Sequence, residues 1–437
     1  MRRVYGCDPN DVMDVLIVPV PLFNADMLVD TYYFRYQKGN DYTRTSLQFT
    51  ALFDGATLSP PLEILNMMGV EAFTINQPVV VPVGGLALLG NLDIQCNQDP
   101  ENIIFLLNAD AKPEEPYLSN MIRLKEKGFR FAFHNVYRLG DYSPILRHGD
   151  YIFLNVKALD KYQLDDLLKS LNRNLRNLKV VATHVDSIEQ FNQLKRKNIQ
   201  LFEGRFYQFP LSKGQTEISP LKANLVRLLN VVRDEDFEFS VITDIVQRDP
   251  ALSLSLMRMV NSPFLGLKTK IKTISHAVTI LGQNEVRKWV TTSVSRALGA
   301  DKPNEITRLS LVRAKYAENL ARYFKLQFES QSLFMMGLFS VLDIILEVDM
   351  KDALKLVLVS DEIHDALVSH TGKYAPILSF IEQYEMADWA SVTRSLIIND
   401  LAIQDIYDAY IQAVAWYTNL ATEEVDPVQG DEEDEKD

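Results

Sequence analysis

Cysteine is nearly absent. Cys7 and Cys96 are the only two in 437 residues, too few for a disulfide framework, so a reducing cytoplasm is the expected compartment. Long apolar runs are missing as well, each one breaking well short of the roughly 18 residues that mark a membrane span. The opening MRRVYGCDPND has arginines but no apolar stretch behind them, and it does not read as a secretory signal. Positive charge is in deficit: 45 Lys and Arg face 58 Asp and Glu, a net charge of -13. That balance argues against a nucleic-acid partner, which needs a basic face. Histidine is scarce too, with six in all.

What is present is apolar and periodic. A 47% hydrophobic content over this length exceeds one core and suits two domains. Short apolar runs at 15–21, 29–35, 72–76, 103–107, 130–133, 151–155, 179–183 and 201–206 read as strands. The prolines in the first of them belong at an edge or a strand end. Helical patterns lie between several of these runs, as at 115–127, 159–175 and 187–196, where Ile188, Phe191 and Leu194 recur three apart. Alternation of this kind predicts parallel βα units, and seven or eight of them over 1–212 fit a (β/α) barrel of the TIM type. After the polar break at 212–216 the pattern turns helical throughout, giving an all-α domain over 213–420. Residues 421–437 form an acidic segment with no apolar period, expected to be disordered.

Several motifs in the helical half are specific. Asp249-Pro250 precedes a helix, Arg258 falls within it, and Asn261-Ser262 follows it; His276 then stands in the run ISHAVTILG, with Arg287 further on. Together with Gly337-Leu338-Phe339-Ser340, these make the second half resemble an HDOD domain, the helical relative of HD phosphohydrolases that lacks their metal ligands. The first half resembles an EAL domain, the cyclic-di-GMP phosphodiesterase barrel, less in letters than in the order of its motifs, and the two-domain resemblance covers nearly the full length of the chain. The resemblance implies a set of site positions. Thr31 stands for a metal-binding glutamate, with Arg35 kept after it, and Asn76 for a metal-binding asparagine. Leu106 replaces a glutamate, His134 and Asn135 paired aspartates, and Phe153 and Asn155 a lysine and an aspartate. Thr183 and Asp186 stand for two glutamates, and Glu203 for a glutamine.

Metal-assisted cleavage of a phosphodiester needs hard anionic oxygens and an oriented water. Leu106 supplies no donor, Thr31 and Thr183 only neutral hydroxyls, and Phe153 no cation. The expectation is a barrel without catalysis, without a metal or other cofactor, and without cyclic-di-GMP binding. His134, His184 and Asp186 lack metal-motif spacing, and His364-Asp365 lacks the further ligands of an HD site. Asp249 and Pro250 shape a helix entry, Asn261-Ser262 a helix exit, and Arg258 and Arg287 are candidates for a partner groove. The expected function is a signalling scaffold that works through protein partners. By resemblance it has a role in motility or biofilm control, and homodimer formation through the barrel mouth. Two alternatives are a non-hydrolysing cyclic-di-GMP sensor and a residual phosphodiesterase.

Overall fold

The computed structural model describes residues 15–38, 59–89, 92–108, 115–136, 143–209, 220–234, 236–262, 271–299, 303–357 and 359–422. Cys7 and the acidic residues from 423 onward lie outside them. The chain forms two compact units: Met1–Phe206 with Arg322–Lys325 and Phe380–Asp437, and Tyr207–Ala321 with Leu326–Ser379. The helical stretch expected as one domain over 213–420 is therefore divided, because its last helices bury their apolar faces with the barrel.

Eight strands close into a barrel in chain order: β1 (Val15–Phe23), β2 (Val29–Lys38), β3 (Val79–Pro82), β4 (Ile103–Asn108), β5 (Arg130–His134), β6 (Tyr151–Asn155), β7 (Lys179–Thr183) and β8 (Leu201–Phe202). From β2 to β8 every pairing is parallel, as the alternation of strands and helices predicts. β1 departs from that pattern and runs antiparallel to both of its neighbours. The cause is a short turn in which Asn24 Oδ1 accepts from the amides of Asp26 and Leu28 while Met27 takes a left-handed φ of 62°. Five residues make a hairpin and leave no room for a crossover helix.

A second correction concerns 72–76, which is not a strand. Val70–Ala72 is a 3-10 turn, Thr74 Oγ1 donates to the carbonyl of Gln77, and Gln77 Oε1 accepts from the amide of Ile75. These local side-chain bonds outcompete β pairing, and the strand forms from the three valines that follow.

Side chains alternate across each strand, so one set fills the barrel: Leu22, Tyr33, Val80, Ile104, Leu106, Ala132, Tyr151, Phe153, Val181 and Leu201. Tyr33 meets Phe153 edge to face at 5.5 Å, and burial pushes the Tyr33 phenol above its usual range. Around the strands lie α1 (Pro60–Met68), α2 (Leu92–Gln95), α3 (Glu115–Glu126), α4 (Ser143–Leu146), α5 (Lys161–Asn174) and α6 (Ile188–Lys195). Helix α5 opens on a full capping box between Asp160 and Gln163.

In the second unit, α7 (Pro220–Arg233), α8 (Phe239–Val246) and α9 (Pro250–Val260) pack on α10 (Ile274–Leu298), which is kinked at Gly282, where φ is 73°. Helix α11 (Asn304–Leu320) packs on α12 (Ser330–Phe339), and α13 (Leu342–Leu346), α14 (Met350–Leu356) and α15 (Asp361–His364) follow. The division between the units passes within α16 (Ala375–Glu385), and α17 (Trp389–Asn399) and α18 (Ile403–Thr422) belong to the barrel unit. There the buried Tyr384 hydroxyl donates to the carbonyl of Ile17 at 3.0 Å and accepts from its amide at 3.4 Å. Helix α18 packs on β1, and Thr418 donates to the carbonyl of Ala72. Among the described residues no helix is long and apolar enough to cross a membrane.

Two predictions follow from the packing. A Cβ on Gly337 would lie 2.5 Å from the carbonyl oxygen of Arg313, at the α11–α12 contact. Gly337→Ala should therefore cost about 1–3 kcal/mol in a denaturant titration, the usual range for overpacking. Asp93, half-buried in α2, is gripped by the Arg123 guanidinium at 3.0 Å and by Lys127, and these bonds hold its carboxyl well below the ordinary range. A depressed folded pKa adds stability above the unfolded value of about 4 and loses it as pH falls through the folded value. Asp93→Asn should lower the unfolding midpoint at pH 7, and the gap should narrow in acid below about pH 4.

Candidate functional site

Strand alternation sets what faces the barrel mouth. One step beyond the apolar filling, toward the C-terminal ends of the parallel strands, the inward positions are Arg35, Asn108, His134, Asn155 and Thr183. Glu203 follows β8 on the same face. Arg35 and Glu203 form an ion pair at 3.1 Å, with side chains 17% and 7% exposed. The second Glu203 oxygen accepts from the backbone amide of His184 at 3.0 Å. Gly204 lets the chain turn there: its φ is 148°, and a Cβ would sit 2.0 Å from the carbonyl of Val185.

Three other polar groups near the mouth are occupied locally. Thr183 Oγ1 donates to the carbonyl of Leu154 and lies 3.1 Å from His184 Nδ1. Asn155 Oδ1 accepts from the amides of Lys157 and Ala158, which tightens the turn after β6. Asp186 is half-exposed and pairs with Lys157 at 3.6 Å. Asn135 and His184 both take left-handed backbone, with φ of 59° and 64°, turning the chain just past β5 and β7.

Four expected site residues stand elsewhere. Thr31 is fully buried on the inward face but four residues from Arg35, roughly 13 Å along the strand; its hydroxyl donates to Asp30. Leu106 and Phe153 belong to the apolar filling. Asn76 is a correction. It precedes β3, at the end away from the mouth, and the residue registered against Leu106 is Pro82. Sequence reasoning passed over Asn108, although period two from Leu106 would have found it. It also passed over Lys157, whose contact with Asp186 depends on the β6 and β7 turns.

Divalent magnesium or manganese calls for several hard oxygen ligands, with carboxylates among them. Among the described residues the mouth offers one buried carboxylate, Glu203, already engaged by Arg35, and the exposed Asp186 with Lys157. Among the described residues no three His, Cys, Asp or Glu side chains are grouped to hold a metal ion. The donors among the described residues do not fit such an ion.

In the helical unit, the singled-out residues organise local backbone. Asp249 Oδ1 accepts from the amide of Leu252, capping α9, and Pro250 begins that helix. Asn261 Nδ2 donates to the carbonyls of Met257 and Ile271, and its Oδ1 accepts from the amide of Ile271 at 2.7 Å. His276 is exposed, and its amide is capped by Thr273 Oγ1 at the start of α10. Arg287, a candidate for partner contact, donates to the carbonyls of Val232 and Asp234 at 2.7 and 2.9 Å, satisfying the end of α7. Arg258 is exposed and Ser262 half-buried.

Comparison with known proteins places an HDOD domain at residues 218–367. Over 416 residues the chain is 24% identical to the uncharacterized protein YuxH of Bacillus subtilis, covering 93% of this chain and 99% of that one. It is 22% identical to the cyclic di-GMP phosphodiesterase CdgJ of Vibrio cholerae, covering 73% and 74%. Among solved structures it matches BlrP1 of Klebsiella pneumoniae with a TM-score of 0.36 and 11% identity, over 46% of this chain and 57% of that one. The EAL domain protein of Listeria monocytogenes matches with a TM-score of 0.34 and 13% identity, over 44% and 87%. The chain thus spans a little over half of the BlrP1 chain.

The Asn261 bridge offers a direct check. Asn261→Ala removes the bonds that hold Ile271 and should cost about 1–3 kcal/mol in chemical denaturation, with faster amide exchange at Ile271.

Proposed function

For a chain that joins an EAL-like barrel to an HDOD domain, we propose a non-catalytic regulator in cyclic-di-GMP-linked signalling that acts by binding protein partners. The observation that carries this reading is the chemistry of the barrel interior. The positions that the EAL resemblance gives to metal ligands and a catalytic lysine hold Leu106, Phe153 and Thr183, and Pro82 stands beside Leu106. Apolar side chains there cannot replace the hydration shell of a divalent ion or orient an attacking water. Several such losses on one face leave, among the described residues, no set of donors for a metal-assisted hydrolysis.

The name of the Vibrio cholerae relative keeps a phosphodiesterase in view, and Arg35 at the mouth keeps a non-hydrolysing sensor in view. A guanidinium is a good phosphate ligand when its donors are free, but one side of Arg35 is already committed to Glu203. Both rivals predict something measurable. Incubation of the full chain with cyclic-di-GMP and excess Mn²⁺ should yield no linear product. Calorimetry should show no binding at ligand near 100 µM, about -5.5 kcal/mol. Turnover would overturn the non-catalytic reading, and binding abolished by Arg35→Ala would convert it into the sensor. Affinity capture with the full chain should then retain a specific protein partner, and its absence would remove the support for a scaffold.

A further inference from the structure

We propose that the turn between α16 and α17 is a tethered cover on the barrel mouth, holding Arg35 closed with the chain's own backbone. Helix α16 ends in a Schellman arrangement: the amide of Asp388 donates to the carbonyl of Gln383, and that of Ala387 to the carbonyl of Tyr384. Ala387 takes the left-handed position with φ of 53°, and Asp388 then caps α17 by accepting from the amide of Ser391. The corner projects Met386 onto the mouth. Its carbonyl faces Arg35 Nη1 at 3.5 Å, a long contact, and its sulfur lies 3.3 Å from Arg205 Nη1.

Two residues before this turn, Tyr384 provides the tether. Its ring packs on Trp389 at 5.4 Å and on Tyr410 at 4.7 Å, and its hydroxyl bridges the backbone of Ile17 in β1. The cover is therefore fastened to the strand that pairs Val18 with Arg35. Arg35 has Glu203 on one nitrogen and Met386 on another, while its buried Nε meets no acceptor. An anion approaching Arg35 has to displace the turn, and displacing the turn pulls on the Tyr384 anchor. This goes beyond the proposed loss of hydrolysis and does not depend on it: a mouth can be covered whether or not it once held metal.

The test uses arginine modification by phenylglyoxal on the full chain, mapped by mass spectrometry, together with amide exchange. In the unaltered protein Arg35, largely covered and held on two nitrogens, should react about tenfold more slowly than the exposed Arg258, with local opening as its main route. Tyr384→Phe keeps the ring but loses both bonds to Ile17. It should raise amide exchange at Ile17 and the Arg35 rate several-fold, roughly the effect of one lost anchor, and leave Arg123 unchanged. Ala387→Val places a branched side chain at a left-handed φ and should raise the Arg35 rate with Tyr384 still in place. If Tyr384→Phe also raises Arg123, the unit has opened as a whole and Ala387→Val decides. Arg35 reacting as fast as Arg258 in the unaltered protein overturns the cover. So does an unchanged Arg35 rate in Ala387→Val, or in Tyr384→Phe when Ile17 exchange has risen.

Discussion

The barrel unit depends on how the backbone of β1 is satisfied. β1 pairs with β2 along its whole length, but it meets β8 only at Phe23 and Phe202. A strand with one open side presents amides and carbonyls that must find partners when buried. At Ile17 the partner is a phenol. The Tyr384 hydroxyl donates and accepts at one residue, doing for a short stretch what a neighbouring strand does elsewhere. Burial raises the Tyr384 pKa well above its usual range, so the proton needed for the donated bond is retained across physiological pH.

That anchor also brings the chemistry of the mouth into focus. Arg35 lies opposite Val18, one residue along from Ile17 in the β1–β2 ladder. The Arg35–Glu203 pair closes the layer above the apolar filling. Glu203 is held in turn by the His184 amide, and Gly204 gives the backbone the approach it needs. A buried pair of this kind adds little net stability over an apolar one. What it does is fix the orientation of its members, so the arginine is kept in one place and its freedom to reach an incoming anion is reduced.

Much of this was legible in the sequence, and the parts that were not share a cause. Seven of the eight strands fall on apolar runs, because both faces of a parallel barrel strand are buried and leave a compositional mark. Residues 72–76 carry the same mark, but Thr74 and Gln77 bond locally and defeat it, and that displaced Asn76 from the site. The antiparallel β1 was hidden because hydrophobicity does not record strand direction; Asn24 and the left-handed Met27 record it instead. For Asn261, Asp249 and Arg287 the residues stood out in sequence, and their geometry shows backbone capping and bridging. The pairing of Tyr384 with Ile17 spans 367 residues, and no periodic pattern reaches that far.

The division of the chain also bears on how the protein is made. The barrel unit contains residues from the first strand and from the last helix, with most of the helical unit inserted between them in sequence. During synthesis, all eight strands leave the ribosome long before Tyr384 and α18 exist. For that interval the side of β1 that Tyr384 later bridges is an exposed edge, the kind of surface to which another strand can add. A message that ends before residue 380 encodes every described strand of the barrel but lacks Tyr384 and α18, which lie against β1.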